Sequence, residues 1–331
     1  MSETPRLSGA PELRSGGSRV VGPTTLFIGG LGRSGTTILE LSLATDPRVV
    51  SLGEVTHLWR RSLLDNETCG CGLGFHDCPF WTHVGQRAFG GWQAVDPERV
   101  IALKRRLDRS IQTPRYGLGL VSRSARADVS EYASYYTRIY RAAAEVTGAS
   151  VVIDSSKQAS LPHLLRADET LDLRVLHCVR DSRAVAYSWT KTVSRPESQS
   201  ERHATMVRYP PPLTAAKWVQ HNLVVEGLRP RGVPVLRVRY EDWAKLPRAE
   251  VTRALAFAGL EEQPNDRLGD DWVNLGPSHT CSGNPARFRH GFIQVRTDEG
   301  WRSKLPQTTQ RLVAGISLPL LAAYGYLSRR T

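Results

Sequence analysis

The fold is decided by the stretch Phe27-Ile-Gly-Gly-Leu-Gly-Arg-Ser-Gly-Thr-Thr37. Residues 24–30 are β-branched, aromatic and apolar up to their terminal glycines, which indicates a buried strand. Residues 36–44 then follow a helical pattern. Gly30 and Gly35 have the glycine spacing of a P-loop, in which backbone N–H groups and a helix N-terminus hold an anion. The stretch therefore predicts an anion-binding strand–loop–helix unit.

Four further apolar runs alternate with helical patterns along the chain. They cover residues 49–52, 151–153, 173–179 and 233–238. Such alternation favours a parallel sheet with right-handed crossovers. We therefore predict an α/β fold, a P-loop-like three-layer αβα arrangement around a central parallel sheet. A helical insertion at about residues 55–148 is expected to cover the site. Residues 1–23 are expected to form a disordered tail, and residues 24–331 a single domain.

The charge balance favours anionic partners. The 331 residues include 44 Lys and Arg against 32 Asp and Glu, a formal net charge of +12. The first 23 residues lack the apolar core of a signal peptide. The most apolar segment, residues 312–327, is interrupted by Pro319 and Gly325 and is shorter than the roughly 20 residues of a membrane span. We predict a cytoplasmic protein without an integral membrane segment.

The phosphate loop differs from that of nucleotide triphosphatases at one position. Thr36 stands where those proteins carry the phosphate-binding lysine, and the loop's cation is Arg33 instead. No Walker-B aspartate for magnesium is evident, which disfavours NTP hydrolysis or phosphorylation. A sulfuryl group carries less charge than a γ-phosphate, so its transfer needs metal clamping less.

Two further segments carry candidate ligand-binding residues. The apolar run 173–179 leads directly to Arg180, at the sheet edge where open α/β proteins bind ligands, and Ser188 follows about two helical turns later. The second segment contains a Gly283-Asn284-Pro turn and Arg287, which combine a rigid bend with a cation.

The hexapeptide Gly32-Arg-Ser-Gly-Thr-Thr37 resembles the 5′-phosphosulfate-binding loop of sulfotransferases that use 3′-phosphoadenosine 5′-phosphosulfate (PAPS). The similarity is greatest to bacterial members and to the tyrosylprotein branch. It implies that PAPS is the donor and that its 5′ end contacts the loop residues Arg33, Ser34, Gly35, Thr36 and Thr37. It also implies that the 3′-phosphate contacts Arg180 and Ser188, and that a closing segment contacts the nucleotide through Gly283, Asn284 and Arg287.

Sulfuryl transfer to a hydroxyl needs a general base and cations that neutralise the transferring oxygens. Glu54 follows a short strand and Gly53, so we expect it beside the phosphate loop as the base. Some members of the resembled family carry a catalytic Glu after a similar Gly, whereas others use a His, so His57 is the alternative base. Lys157 follows another strand and, with Arg33, is the expected catalytic cation.

Three of the five cysteines fall within ten residues. Cys69, Cys71 and Cys78 could bind zinc with His76, form a local disulfide, or remain free thiols in a tight loop. The spacing is not that of common zinc modules, and a reducing cytoplasm disfavours a disulfide. The sequence interpretation is therefore free thiols, with no metal expected.

The acceptor is expected to be a hydroxyl on a small metabolite, a glycan or a lipid. Two other functions remain as alternatives: a small-molecule or nucleotide kinase, and a non-catalytic polyanion-binding protein. Nucleic acid is not an expected partner, because the basic residues are dispersed and no stacking-aromatic RNA motif is present. The sequence leaves the oligomeric state open.

Overall fold

The structure is a computed structural model that describes residues 22–117, 122–195 and 205–327. Nearly all of the predicted N-terminal tail (residues 1–23) lies outside the described residues. Residues 196–204 also lie outside the described residues.

Five parallel strands form the central sheet in the order β2-β3-β1-β4-β5. They are β1 (Thr24–Gly29), β2 (Val49–Ser51), β3 (Val151–Asp154), β4 (Leu173–Val179) and β5 (Val235–Arg239). A separate antiparallel hairpin joins β6 (Trp272–Leu275) to β7 (Gly291–Gln294). The parallel sheet confirms the predicted fold class. The hairpin was missed, because residues 265–302 have an irregular sequence pattern.

Helices flank the sheet on both faces. They are α1 (Thr36–Leu43), α2 (Pro79–Phe89), α3 (Pro97–Leu107), α4 (Thr113–Gly117), α5 (Arg123–Thr147), α6 (Leu161–Leu165), α7 (Ser182–Thr190), α8 (Pro211–Glu226), α9 (Tyr240–Trp243), α10 (Pro247–Phe257), α11 (Trp301–Lys304) and α12 (Gln307–Ala323). Shorter 3₁₀ turns connect several of them.

The central strand β1 is apolar throughout because it is covered on both sides. Leu26 and Ile28 pack into one apolar cluster with residues of α1 and α10, whereas Phe27 packs into the cluster on the opposite face. Successive side chains of a strand point to opposite faces, so one short run serves both cores. This arrangement is the predicted three-layer architecture.

Residues 55–148 are mostly helical and pack against one face of the sheet. The long helix α5 turns Tyr132, Tyr136 and Tyr140 inward at intervals of four residues. The segment after β2 is less regular than predicted, since a 3₁₀ turn (Val55–His57) leads into a π-helical turn (Leu58–Ser62). Within the described part of the chain, no helix has the length and apolar character needed to cross a membrane.

Candidate active site

The carboxyl ends of the parallel strands open onto one cavity of about 790 Å³. It lies where open α/β sheets bind ligands. The structure brings ten of the predicted site residues to its lining: Arg33, Gly35, Thr36, Thr37, Glu54, Lys157, Arg180, Ser188, Gly283 and Asn284. Ser34 and Arg287 are not among the lining residues.

The loop after β1 has the shape of an anion cradle. Arg33 and Gly35 both have positive φ, 76° in each case, and the Ser34 hydroxyl turns back to donate to the Leu31 carbonyl at 2.8 Å. Helix α1 begins without a side-chain cap, so its first N–H groups face the loop opening. A Cβ on Gly35 would lie 2.5 Å from the Tyr240 ring, which excludes any side chain there.

The two arginine-bearing segments meet directly. Arg180 Nη1 donates to the carbonyl oxygen of Arg33 at 3.0 Å. Arg33 Nε and Nη2 and Arg180 Nε are buried, and within the described residues they have no hydrogen-bond partner. Burial lowers the pKa of Arg33, an effect that the nearby Glu54 opposes. Unsatisfied buried guanidinium groups are costly in a folded protein, and an anion in the cavity would provide these atoms with acceptors.

Glu54 forms an ion pair with Lys157 beside this loop. Lys157 Nζ donates to Glu54 Oε1 at 2.6 Å and to the carbonyl oxygen of Ser155 at 3.0 Å. Lys157 has φ 59°, a left-handed conformation that is uncommon for a residue other than glycine. The strained backbone thus directs the ammonium group toward the carboxylate and into the cavity.

His57 also lines the cavity, with its Nε2 atom 3.5 Å from Glu54 Oε2. The ring faces the cavity, yet it is enclosed by protein on its other sides. This enclosure lowers the pKa of His57 well below its usual value, and the cations Arg61, Lys104 and Lys157 lower it further. Its imidazole is therefore neutral at neutral pH and a weak proton acceptor compared with an unperturbed histidine.

Glu40 organises the loops that carry Glu54 and Lys157, and sequence reasoning missed it. This buried residue of α1 accepts hydrogen bonds from Ser51 Oγ at 2.6 Å, the Gly53 N–H at 2.9 Å and Ser155 Oγ at 2.5 Å. Burial raises its pKa, and the hydrogen bonds counteract this rise. One sequence signal was available, since a charged residue stands on the otherwise apolar face of α1.

Asp154 holds the turn after β3 in a second buried network. It accepts hydrogen bonds from the Ser156 N–H at 2.7 Å, from the Ser156 hydroxyl, and from the Tyr140 hydroxyl at 2.6 Å. Ser156 Oγ in turn accepts from the Thr56 N–H at 2.9 Å. Burial raises the pKa of Asp154 to about 6. The network fixes the turn that precedes Lys157.

The far end of the cavity contains an aspartate that the sequence did not reveal. Arg180 Nη2 donates to the Asp298 carbonyl oxygen at 2.9 Å and lies 3.5 Å from its carboxylate. Lys191 Nζ lies 3.2 Å from the same carboxylate, and the Arg180 guanidinium stacks 4.2 Å from the Tyr240 ring centroid. Arg180 is thus oriented from two sides.

Arg287 is buried behind the cavity wall rather than facing the cavity. It donates to the carbonyl oxygens of Thr280 at 2.8 Å and Thr68 at 2.6 Å. It belongs to a 3₁₀ turn (Pro285–Phe288), in which residues three apart share a side. Ala286 and Arg289 therefore line the cavity and Arg287 does not. The structure thus places Arg287, a predicted nucleotide contact, against two backbone carbonyl oxygens behind the wall and not on the cavity surface.

Fold and cavity together define an α/β protein in which two arginine-bearing loops adjoin a carboxylate–lysine pair. Comparison with known proteins narrows this class, since residues 23–264 match the model of the sulfotransferase family. The chain belongs to that family. The human carbohydrate sulfotransferase 6 is 29% identical over 178 residues, which cover 49% of this chain and 44% of that protein. The mouse carbohydrate sulfotransferase 5 is 28% identical over 180 residues, 50% of this chain and 44% of that protein.

The chain thus spans less than half the length of these curated relatives. Among solved structures, the sulfotransferase domain of the Synechococcus PCC 7002 olefin synthase matches with a TM-score of 0.44 and 20% identity. That match covers 93% of this chain and 98% of the domain. Sulfotransferase STF9 from Mycobacterium avium has a TM-score of 0.44 and 14% identity, covering 92% of this chain and 77% of that one.

Proposed function

We propose that this protein transfers the sulfuryl group of PAPS to a hydroxyl acceptor. The observation that carries the proposal is the direct contact between the two arginine-bearing loops, in which Arg180 donates a hydrogen bond to the backbone carbonyl of Arg33. Both guanidinium groups also have buried N–H groups without a partner among the described residues. PAPS carries a phosphate on the 3′ oxygen and a phosphosulfate on the 5′ oxygen of one ribose. A pair of arginines at the ends of two neighbouring strands, β1 and β4, suits such a ligand.

The residues present fit the donor. The loop N–H groups, Thr36, Thr37 and Arg33 would hold the 5′-phosphosulfate end. Arg180 and Ser188 would hold the 3′-phosphate, with Gly283 and Asn284 along the wall. Bound PAPS supplies the activated sulfuryl group, and the chain's own part is to bind, orient and move one proton.

Glu54 is the proposed general base that removes the acceptor hydroxyl proton at its carboxylate oxygen. Lys157 holds the carboxylate in place at 2.6 Å, and together with Arg33 it would neutralise charge on the transferring oxygens. His57 is the weaker candidate, because burial and several neighbouring cations lower its pKa and favour its neutral form.

Polar and basic side chains make up much of the remaining cavity lining. They include His57, Arg61, Gln158, Lys217 and His221. Hydrogen-bonding side chains of this kind suit an acceptor with several hydroxyl or anionic groups, as in a glycan or a polar metabolite. The cytoplasmic location and the single-domain organisation stay predictions from the sequence.

Thermal unfolding with two nucleotides tests the donor. We expect 3′,5′-adenosine bisphosphate, the product of the transfer, to raise Tm by several degrees, since a ligand at about 100 times its Kd stabilises a protein by about 2.7 kcal/mol. ATP with magnesium should raise Tm less. A larger effect of ATP with magnesium would favour a kinase, and equal effects of both nucleotides and of heparin would favour a polyanion-binding protein. Incubation with labelled PAPS and a panel of hydroxyl acceptors would then identify the acceptor.

A further inference from the structure

Four potential metal ligands meet outside the proposed active site. The thiols of Cys69, Cys71 and Cys78 and the ring of His279 each offer one atom, and these four atoms lie within 4.8 Å of one another. Cys69 and Cys78 are buried, and none of the five cysteines of the chain, all within the described residues, forms a disulfide. The histidine is not His76, which lies inside the cysteine loop, but a residue some 200 positions further along.

The interatomic distances match those of a tetrahedral site. Cys78 Sγ lies 3.3 Å from His279 Nδ1, Cys69 Sγ lies 4.0 Å from the same atom, and Cys71 Sγ lies 3.7 Å from Cys78 Sγ. A zinc ion with Zn–S of about 2.3 Å and Zn–N of about 2.0 Å places its ligand atoms roughly 3.5–3.8 Å apart. The three measured separations lie within a few tenths of an ångström of these values, and all four ligand atoms lie within 4.8 Å of one another.

Each ligand is held by the fold rather than gathered by chance on a surface. Cys69 and Cys71 lie in a tight turn closed by the Cys69 N–H bond to the Leu73 carbonyl at 2.7 Å. Cys78 stands immediately before α2. The His279 ring stacks on Phe80 at 5.0 Å between ring centroids. The backbone carbonyl of His279 accepts a hydrogen bond from Trp81 Nε1 at 2.8 Å. Prior orientation of the ligands lowers the entropy cost of binding a metal.

We propose that this chain holds one structural zinc ion in a tetrahedral site of three cysteines and one histidine: Cys69, Cys71, Cys78 and His279. Three sulfur ligands and one imidazole select zinc among common metals, and four protein ligands leave no open position for catalysis. Binding uses the thiolates, so thiol protons pass to solvent as the metal enters. This site replaces the expectation from the sequence that the cysteines are free thiols and that no metal is bound.

The ion would join two distant segments next to the active site. The His279 segment continues through Cys281, whose N–H donates to the Leu52 carbonyl at 2.8 Å and whose carbonyl accepts from the Glu54 N–H at 3.0 Å. The same segment reaches Gly283, where a Cβ would lie 3.1 Å from Glu54 Oε1. Zinc would therefore brace the wall against which Glu54 rests, independently of which donor or acceptor the cavity binds.

Metal analysis of the full chain tests the site. Protein produced with zinc in the medium should contain about one zinc ion per chain. After chelation and titration with Co²⁺, it should show the intense visible bands of tetrahedral cobalt bound to thiolates. Removal of zinc should lower Tm by at least roughly 5 °C. These measurements on the unaltered chain need no variant to fold.

Variants then identify the ligands. Cys69→Ser and His279→Ala should lose the zinc and the cobalt bands. The matched controls His76→Ala and Cys178→Ser should retain both, because His76 lies outside the cluster and Cys178 is buried in β4. The proposal is overturned if the unaltered chain binds neither metal, if intact mass shows a disulfide between Cys71 and Cys78, or if His76→Ala loses the metal while His279→Ala keeps it.

Discussion

Two of the proposed catalytic residues adopt an unfavourable backbone conformation. Arg33 and Lys157 both have positive φ, although neither is glycine. A non-glycine residue in this conformation lowers the stability of the fold by about 1–3 kcal/mol. It is retained only where the surrounding contacts hold the backbone in place. Both side chains line the same cavity. The backbone strain therefore supports a functional role for Arg33 and Lys157 in the cavity.

Replacing either arginine should weaken donor binding. We expect Arg33→Ala and Arg180→Ala each to weaken PAPS binding at least roughly tenfold, about 1.4 kcal/mol or more, because each removes a charge that faces an anionic group. Arg183→Ala is the matched control. Its guanidinium is bound to Asp181 and stacked on Trp301, so PAPS affinity should change less than about twofold. Titration calorimetry would measure all three, and an equal loss in the control would contradict the assignment.

Replacing Glu54 should slow transfer without releasing the donor. In Glu54→Gln the side chain keeps its size and an oxygen for Lys157, but it no longer accepts a proton at neutral pH. We expect turnover to fall by about 10²-fold or more, with nearly unchanged affinity for 3′,5′-adenosine bisphosphate. His57→Gln should have the smaller effect on turnover. The reverse order of the two variants would make His57 the base.

The sequence motifs predicted the location of site residues best at positions that directly follow a strand. Arg33, Thr36 and Arg180 lie at positions fixed by a strand end, and the structure brings them to the cavity as expected. Arg287 is buried and does not line the cavity, and composition alone does not reveal which side of a short 3₁₀ turn faces a cavity. Arg289, two positions later, takes the cavity-facing place.

At the level of elements, α1 connects the phosphate loop to the loops that bear the catalytic candidates. Its Glu40 carboxylate accepts hydrogen bonds from the end of β2, from the Gly53 backbone and from Ser155. One helix thus sets the relative positions of the ends of β2 and β3. The hydrophobic pattern predicted α1 itself but could not predict this role, because Ser155 lies 115 residues further along the chain.

Changing Glu40 should impair catalysis through positioning. In Glu40→Gln the amide nitrogen must face one of three donors, which leaves buried N–H or O–H groups without an acceptor and costs about 1–3 kcal/mol of stability. We expect kcat to fall about tenfold or more, with KM for PAPS changed only a few-fold, because Arg33 and Arg180 make no contact through this carboxylate. Ser155→Ala, which removes one donor cleanly, should lower kcat less.

An increase in KM for PAPS with an unchanged kcat would show that Glu40 acts on the phosphate loop rather than on Glu54 and Lys157. Urea denaturation of both variants separates loss of fold from loss of positioning. If Ser155→Ala were as damaging as Glu40→Gln, the shared carboxylate would not be the organising group.

At the scale of the whole molecule, the alternation of strands and helices was sufficient to predict the layered sheet. Each of the five strands could be predicted from an apolar run of three to seven residues that ends in glycine or polar residues. The hairpin of β6 and β7 has no such signal, since neither strand is a continuous buried run: buried and partly exposed side chains alternate along β6, and no residue of β7 is buried. The pairing of the cysteine loop with His279 was equally hidden, because some 200 residues separate the partners.

Burial of Asp154 gives the folded protein a specific dependence on pH. Its pKa is raised from 3.8 to about 6 in the fold, chiefly by burial, so the folded state holds this proton more tightly than the unfolded chain. The resulting stabilisation is fully present below about pH 3.8 and is lost as the pH rises through about 6. Asparagine at this position keeps the acceptor for Ser156 and cannot titrate, and the Tyr140 hydroxyl can accept from its amide.

We therefore expect the free energy of unfolding of the unaltered protein, relative to that of Asp154→Asn, to decrease by about 2 kcal/mol between about pH 4 and about pH 7. The subtraction removes the contributions of Glu40 and of the other carboxylates that both proteins share. Denaturant unfolding at closely spaced pH values would measure it. Parallel curves across this range would mean that Asp154 is already ionised in the fold, and that the turn before Lys157 holds a buried charge rather than a proton shared with Tyr140 and Ser156.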